Sequence, residues 1–468
     1  MSQVAATHVQ PPEGPGQSAP PLQSASYRYY ALGVLTFTYV LNFVDRQILT
    51  VVQEPMKAEL GLSDFELGLL QGTFFAIFYV VVGIPIARWA DIANRRTIVA
   101  ISVTLWSAMT ALQGAATNFI ALAVARFGVG IGEAGGSPPA HSMISDMFPP
   151  SERARALAIY SSGVTFGVML AYVAGGWISD TFGWRLVFVA IGLPGVAVGA
   201  LVMLTLREPA RGAYDKPGAA HAEAPPMLSV IRVLLSRRSF VLLSVAAGLH
   251  AFTAYGIGAF IVSFFKRTYA IEATSDVTLP LGIMIGVAGG IGNYAGGYLA
   301  DLWGKRDVRY YMWVPAVSTL LAIPFAYASF LTNDFTLSLA LYFLPLVFGY
   351  MYLGPTLAMT HALVSPRMRA LASSILFFIL NAIGLGLGPT VTGLVSDILK
   401  GGISLPGALS RGLDGLAGDG ASTALANGLG DDSLRYAILL MFVAYLAAAL
   451  IYFRAARYLP QDLEAAPS

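Results

Sequence analysis

The chain has 468 residues, 56% of them hydrophobic and only 12% charged, with a mean hydropathy of +0.67 and a net charge of +2. A soluble domain carries about 25% charged residues, so this composition excludes a soluble enzyme or a disordered chain. The near-zero net charge excludes a polyanion binder, and the absence of cysteine excludes disulfides, thiolate metal sites and cysteine nucleophiles. Residues 1–28 are polar, rich in Pro and Ala, and lack the apolar core of a signal peptide, so they read as a disordered tail. A spanning helix needs about 20 mostly apolar residues. Runs of that kind fall at 29–52, 67–87, 97–117, 119–147, 157–179 and 186–206. Six more follow at 240–265, 277–300, 310–330, 336–361, 371–399 and 436–453. Between the two sets lies a basic linker, 207–238, with Pro209, Pro217, Pro225 and Pro226. The stretch 400–434, rich in Gly, Asp and Ser, reads as a flexible extracytoplasmic loop, and 458–468 as a C-terminal tail.

The predicted fold is an all-α integral membrane protein of twelve transmembrane helices, with a six-helix bundle at 29–206 and a second at 239–457. Twelve spans put both termini on one side. Most Lys and Arg fall on that side, which the positive-inside rule makes cytoplasmic. The expected location is the plasma membrane, multi-pass, or the inner membrane in a bacterium.

The chain repeats itself. After the second run it reads Ala87-Arg-Trp-Ala-Asp91-Ile-Ala-Asn94-Arg95-Arg96. After the eighth it reads Gly297-Tyr-Leu-Ala-Asp301-Leu-Trp-Gly304-Lys305-Arg306. Arg153-Ala-Arg155-Ala-Leu-Ala matches Arg367-Met-Arg369-Ala-Leu-Ala, and Gly176-Trp-Ile-Ser-Asp180 matches Gly393-Leu-Val-Ser-Asp397, 217 residues later. Parallel repeats of this kind mark secondary transporters, with the substrate site near mid-membrane between the halves. With these motifs the sequence resembles the major facilitator superfamily over about 29–457. The first loop copy departs from the pattern, with Ala87 and Asn94 in place of glycines and Ile92 in place of a cation. The resemblance implies that this loop and its neighbours lock the halves on the cytoplasmic face. The implied gate residues are Asp91, Arg95, Arg96, Arg153, Arg155, Asp301, Lys305, Arg306, Arg367 and Arg369.

Four charges stand out inside predicted spans, away from the span ends: Asp45 and Arg46 in the first, Arg126 and Glu133 in the fourth. A charge at mid-bilayer costs about 2.5–3.5 kcal/mol on insertion scales, so such groups need partners or a wet cavity. Arg126 and Glu133, seven residues apart, share one helix face. Counting about 1.5 Å per residue sets Asp45 level with Arg126, some 10 Å below the outer end, and lets Arg46 reach down toward Glu133. Desolvation and a neighbouring arginine pull a carboxyl's proton affinity in opposite directions, so opening the cavity to one side shifts the balance. Asp45 and Glu133 are therefore the candidate proton-coupling groups. Arg46 and Arg126 are candidates for an anionic substrate group, and His141 is a weaker member of the network.

The flanking residues Asn42-Phe-Val-Asp45-Arg46, Arg126-Phe-Gly-Val-Gly-Ile-Gly132-Glu133-Ala134, Pro139 and Ser145-Asp146-Met-Phe148 resemble the Spinster branch of the superfamily, whose animal members export sphingosine-1-phosphate or lysophospholipids. The resemblance implies a proton-linked transporter of a lipid-like or amphipathic organic anion, leaning toward export, with Asn42, His250, Phe252, Tyr255, Asn293, Tyr350 and Asn381 as candidate cavity residues. The proton is the coupling ion and no other cofactor is expected. The expected partners are the bilayer and an amphipathic or anionic substrate, with no nucleic acid and a monomeric state. A proton-linked transporter of a small carboxylate or sugar acid, and a transporter-like sensor without flux, are the alternatives. Small residues every four positions, Gly163, Gly167, Ala171 and Gly175, predict a close helix contact. Gly384, Gly388 and Pro389 predict a bend. No Walker motif, GxSxG or HExxH sequence is present.

Overall fold

The structure is a computed structural model that describes residues 24–212, 214, 227–365, 368–401, 407, 410–412, 415 and 429–465. The expected tail up to residue 23, the middle of the linker, most of the 400–434 loop and the last three residues lie outside them. The first half contains α1 (Ala25–Leu60), α2 (Asp64–Gln71), α3 (Thr73–Ile92), α4 (Arg95–Gln113), α5 (Phe119–Ala134), α6 (Ser137–Met147), α7 (Pro150–Phe182) and α8 (Trp184–Thr205). A short helix α9 (Met227–Ser236) leads into α10 (Arg238–Thr268), α11 (Thr274–Gly304), α12 (Tyr310–Leu331), α13 (Phe335–Tyr350), α14 (Leu353–Ala362), α15 (Arg369–Leu380), α16 (Gly386–Lys400) and α17 (Ser433–Glu464). A π-helical turn, Asn381–Leu385, joins α15 to α16. Among the described residues there is no strand.

Among the described residues, ten helices are long and apolar enough to cross a membrane, counting α2–α3, α5–α6, α13–α14 and α15–α16 as one each. α1, with 36 residues, and α4, with 19, have the length but not the hydropathy. The start of α1 lies beside the end of α8, and the start of α10 beside the end of α17, on a face termed here the terminal face. The opposite one is the far face. Contacts near the ends agree: Tyr27 donates to Thr205 O at 3.4 Å and Ser239 N–H donates to Asp462 at 2.7 Å.

Several long apolar runs are folded as two pieces. The second begins with a capping box, Ser63 and Glu66, and breaks at Gly72, whose missing Cβ would stand 2.9 Å from Gly68 O. The tenth breaks at Met351–Tyr352, and the eleventh contains the π turn four residues before Pro389. π turns and proline are the ordinary causes of a helix bend. α1 extends to Leu60, eight residues past its expected end, and is closed by Gly61 in the left-handed region at φ 65°. The polar residues that had marked its end are partnered instead. Gln53 donates to Ser263, and Glu54 pairs with Arg267.

Helices α1–α8 pack chiefly on one another, as do α10–α17: α7 lies on α1, α4 on α8 and α3 on α5, while α10 and α12 lie on α17. Close approach rests on small residues. Gly163 and Gly167 of α7 sit over Thr36 and Val40 of α1, and a Cβ at Gly167 would stand 2.5 Å from Val40 O and 2.6 Å from Phe43 Cβ. Gly167→Val should therefore cost about 1–3 kcal/mol through overpacking, seen as a lower melting temperature in detergent. An unchanged melting temperature would mean that α7 can move off α1 freely.

The halves touch from the far face to mid-depth and then diverge. Along α7 and α11, Gly176 meets Thr278, Gly282 meets Tyr172 and Gly286 meets Thr165, whereas Gly290 has nothing within 4 Å. Along α2–α3 and α16, Gly393 meets Asp64, Gly68 meets Pro389 and Gly386 meets Ala76, whereas Gly83 has nothing within 4 Å. The molecule is closed at the far face and open toward the terminal face.

Candidate functional site

The four intramembrane charges converge inside the first half. α1 carries Asp45 and Arg46, about 22 Å from its far end at the helical rise, and so near the middle of the helix. The expected depth of 10 Å is corrected because α1 continues past residue 52. Arg46 Nε donates to Glu133 Oε2 at 2.5 Å; Glu133 is fully buried and Arg46 keeps 19% of its side chain exposed. Three rings surround the Arg46 guanidinium, with centroids 5.3 Å (Phe43), 5.2 Å (Phe75) and 4.9 Å (Tyr79) away. These contacts hold a cation at an aromatic wall, with part of its side chain exposed. Asn42 is buried beside Glu133.

Arg126 does not form the level ion pair with the Asp45 carboxyl that depth counting suggests. Its Nε donates to Leu70 O at 3.2 Å and its Nη1 to the Asp45 backbone carbonyl at 3.4 Å, and its guanidinium lies 5.1 Å from the Phe75 centroid. Arg126 therefore ties α5 to the backbone of α1 and α2. The Asp45 carboxyl is buried and faces two donors of α4, Trp106 Nε1 and Thr110 Oγ1, with Glu133 and Arg126 close by.

The candidate cavity residues divide. Tyr255 of α10 is 40% exposed and belongs to the half opposite Arg46. Asn293 is exposed, and Phe252, Tyr350 and Asn381 are half-buried, Asn381 at the start of the π turn. His250 does not line a cavity, and that expectation is corrected. It is fully buried, stacked between Tyr352 (4.0 Å) and Tyr445 (4.5 Å), with Nδ1 3.0 Å from Thr319 Oγ1 and Nε2 2.9 Å from Gly349 O. Gly349 O lies where α13 breaks, so the ring supplies a partner for a carbonyl near that break. His141 is half-buried, its Nδ1 2.9 Å from Ser137 O and its ring edge-on to Tyr160.

Among the described gate residues, no hydrogen bond or ion pair joins the halves. Arg95 is buried against Glu208 (2.7 Å), Asp146, Ser142 (2.7 Å) and Pro209 O (3.0 Å), all in its own half or the start of the linker. The Arg96 N–H donates to Glu208 at 3.0 Å, and Asp301 accepts from Tyr311 at 2.7 Å. Arg153 is half-buried; Arg155, Lys305, Arg306 and Arg369 are exposed. The side chain of Asp91 and all of Arg367 lie outside the described residues. Among the described residues, Arg95, Arg96 and Asp301 are thus partnered within their own half or with the start of the linker.

The lock is at the far face, and sequence reasoning missed it. Arg267 of α10 forks onto two carboxylates of the other half, Glu54 (2.7 and 3.0 Å) and Asp64 (2.8 and 2.8 Å). Asp64 also pairs with Lys57 and accepts from Ser396 at 2.7 Å. A chain of amides, Thr50 to Gln71, Gln71 to Gln53 and Gln53 to Ser263, crosses between the halves just beneath. These charges lie near helix ends, where charges also set topology.

A membrane bundle of two packed halves that part at one face, with charges buried at mid-depth, is the architecture of a secondary transporter. The sequence profile of the Major Facilitator Superfamily matches residues 35–389, and the chain belongs to that superfamily. An MFS-type efflux pump of Mycolicibacterium smegmatis is 33% identical over 383 residues, covering 82% of this chain and 87% of the pump. A sphingosine-1-phosphate transporter of Danio rerio is 26% identical over 388 residues, 79% of this chain and 76% of that protein. The crystal structure of a bacterial homologue of the human lysosomal transporter Spinster, inward-facing and unoccupied, superposes with a TM-score of 0.83 at 36% identity, over 94% of this chain and 99% of that one. The protein is a multi-pass membrane transporter of the Spinster branch, not an enzyme.

Proposed function

We propose that the protein is a proton-coupled secondary active transporter that moves a lipid-like or amphipathic organic anion by alternating access, in the direction of export. The observation that carries this reading is the partly exposed Arg46 guanidinium, ringed by Phe43, Phe75 and Tyr79, beside a buried carboxyl pair. A partly exposed guanidinium suits an anionic head group, and the aromatic surface with Tyr255 opposite suits an apolar tail. Asp45 and Glu133 are the coupling carboxyls, and the proton is the coupling ion. Likeness to an efflux pump and to a sphingosine-1-phosphate transporter supports export and an amphipathic anion. With α1 and α4 added to the ten apolar helices the spans number twelve. The positive-inside rule then makes the terminal face, and so the open side, cytoplasmic, in a plasma or bacterial inner membrane. The transporter works as a monomer, each copy holding its own charge network.

Flux in proteoliposomes under an imposed pH gradient tests this reading, using a lysophospholipid, a sphingoid phosphate and a hexarate as candidates. The expected result is gradient-stimulated movement of an amphipathic anion that Arg46→Ala removes. Stimulated movement of the hexarate alone would replace the lipid-like substrate by a sugar acid. Specific binding without flux of any of them would make the protein a sensor.

A further inference from the structure

The repeated motif Gly-x-x-Ser-Asp, at Gly176–Asp180 and again at Gly393–Asp397, is used twice in the same way at the far face. In the first copy, Asp180 near the end of α7 accepts the backbone N–H of Thr274 (2.7 Å) and Ser275 (2.7 Å), the first two residues of α11 in the other half. In the second, Asp397 near the end of α16 accepts the N–H of Asp64 (3.2 Å) and Phe65 (2.8 Å), the first two residues of α2 in the first half. The glycine four residues earlier lies on the same helix face and makes room for the capped turn. A Cβ at Gly176 would stand 3.2 Å from Ser275 Cα, and a Cβ at Gly393 would stand 3.1 Å from Phe65 Cα. The two contacts are thus counterparts, each half capping a helix of the other.

The capped helices are built to need it. The first N–H groups of any helix lack intrahelical partners and carry the positive end of its dipole. The residue before α11 is Ala273, which has no side chain to cap with. The residue before α2 is Ser63, whose hydroxyl is spent on Glu66 N–H and leaves the first two donors to Asp397. Each cap exists only while the far face is shut, because donor and acceptor sit on different halves.

We propose that Asp180 and Asp397 are paired positioning residues. Together they hold the far face closed by capping α11 and α2 across the interface, and their release accompanies its opening. The proposal rests on the alternating-access reading only where it concerns the other face. Charge-assisted hydrogen bonds are among the stronger ones, and removing both caps should raise the ratio of far-open to far-closed molecules at least about tenfold.

The chain has no cysteine, so introduced pairs can be spin-labelled without background. One pair, Ile120 and Leu331, reports the far face, and another, Ile92 and Leu302, the terminal face. Distances are measured by pulsed electron resonance in detergent. The double variant Asp180→Ala/Asp397→Ala should lengthen the far-face distances and shorten the terminal-face ones, each single variant giving part of the shift. Far-face lengthening with unchanged terminal-face distances would uphold the caps and overturn alternating access. Unchanged far-face distances in a folded double variant would overturn the caps. If the alanine variants fail to fold, Thr274→Pro serves instead. Proline is tolerated at the first helical position and removes one capped N–H, and Ala273 already has the extended backbone that precedes proline. Thr274→Pro should shift the far-face distances in the same direction, and no shift in that variant would likewise overturn the proposal.

Discussion

Asp45→Asn should abolish uptake driven by an imposed pH gradient, to the level of empty vesicles, while leaving the melting temperature within about 2 °C of the native protein. The reasoning is geometric. Asparagine has nearly the shape of aspartate, and its amide oxygen can still face the two donors of α4, Trp106 and Thr110. The backbone carbonyl that anchors Arg126 is untouched by the substitution. What is lost is the capacity to bind and release a proton beside Glu133 and Arg126. Exchange of substrate down its own gradient needs no proton step and should persist. Gradient-driven uptake that survives in Asp45→Asn would move the coupling role to Glu133. A large fall in melting temperature would instead make Asp45 a structural counter-charge.

The sequence carries the membrane class, the paired halves and the central charges with little ambiguity. Composition forces the first, the recurrence of Asp91 at Asp301 and of Asp180 at Asp397 suggests the second, and the rarity of charge in the spans isolates Asp45, Arg46, Arg126 and Glu133. Three features were not legible. The length of α1 was hidden because Gln53, Glu54 and Lys57 look like a membrane edge when read singly; only their partners in α2 and α10 bring them inside. The role of His250 was hidden because a polar ring in an apolar run fits a cavity as well as a core, and the choice rests on Gly349 O near the break in α13. The face that is locked depends on the conformation, which a sequence encodes for both states at once. The Gly-x-x-Ser-Asp repeat carries more than duplication, because a glycine and a carboxylate on one face near the end of a helix can receive the start of another.

The Arg46–Glu133 pair should behave asymmetrically when its members are removed one at a time. Glu133→Ala strands the Arg46 guanidinium at an aromatic wall, and breaking a buried pair costs about 3–5 kcal/mol. The three rings around Arg46 offset part of that, at about 0.5–2 kcal/mol for each well-placed ring, and its partial exposure offsets some more. Arg46→Met should cost less, since the remaining carboxyl can bind a proton and become neutral, an escape that a guanidinium does not have. Methionine also retains the unbranched stem that packs against Phe43 and Phe75. The double variant Arg46→Met/Glu133→Ala should then be more stable than Glu133→Ala alone, with a coupling energy of about 1–3 kcal/mol in a double-mutant cycle. Unfolding in detergent gives the four stabilities. Transport separates structure from function in the same set, because the double variant should regain stability without regaining flux. Additive stabilities would show that the 2.5 Å contact contributes nothing to the fold. Flux restored in the double variant would show that the substrate does not need a cation at position 46.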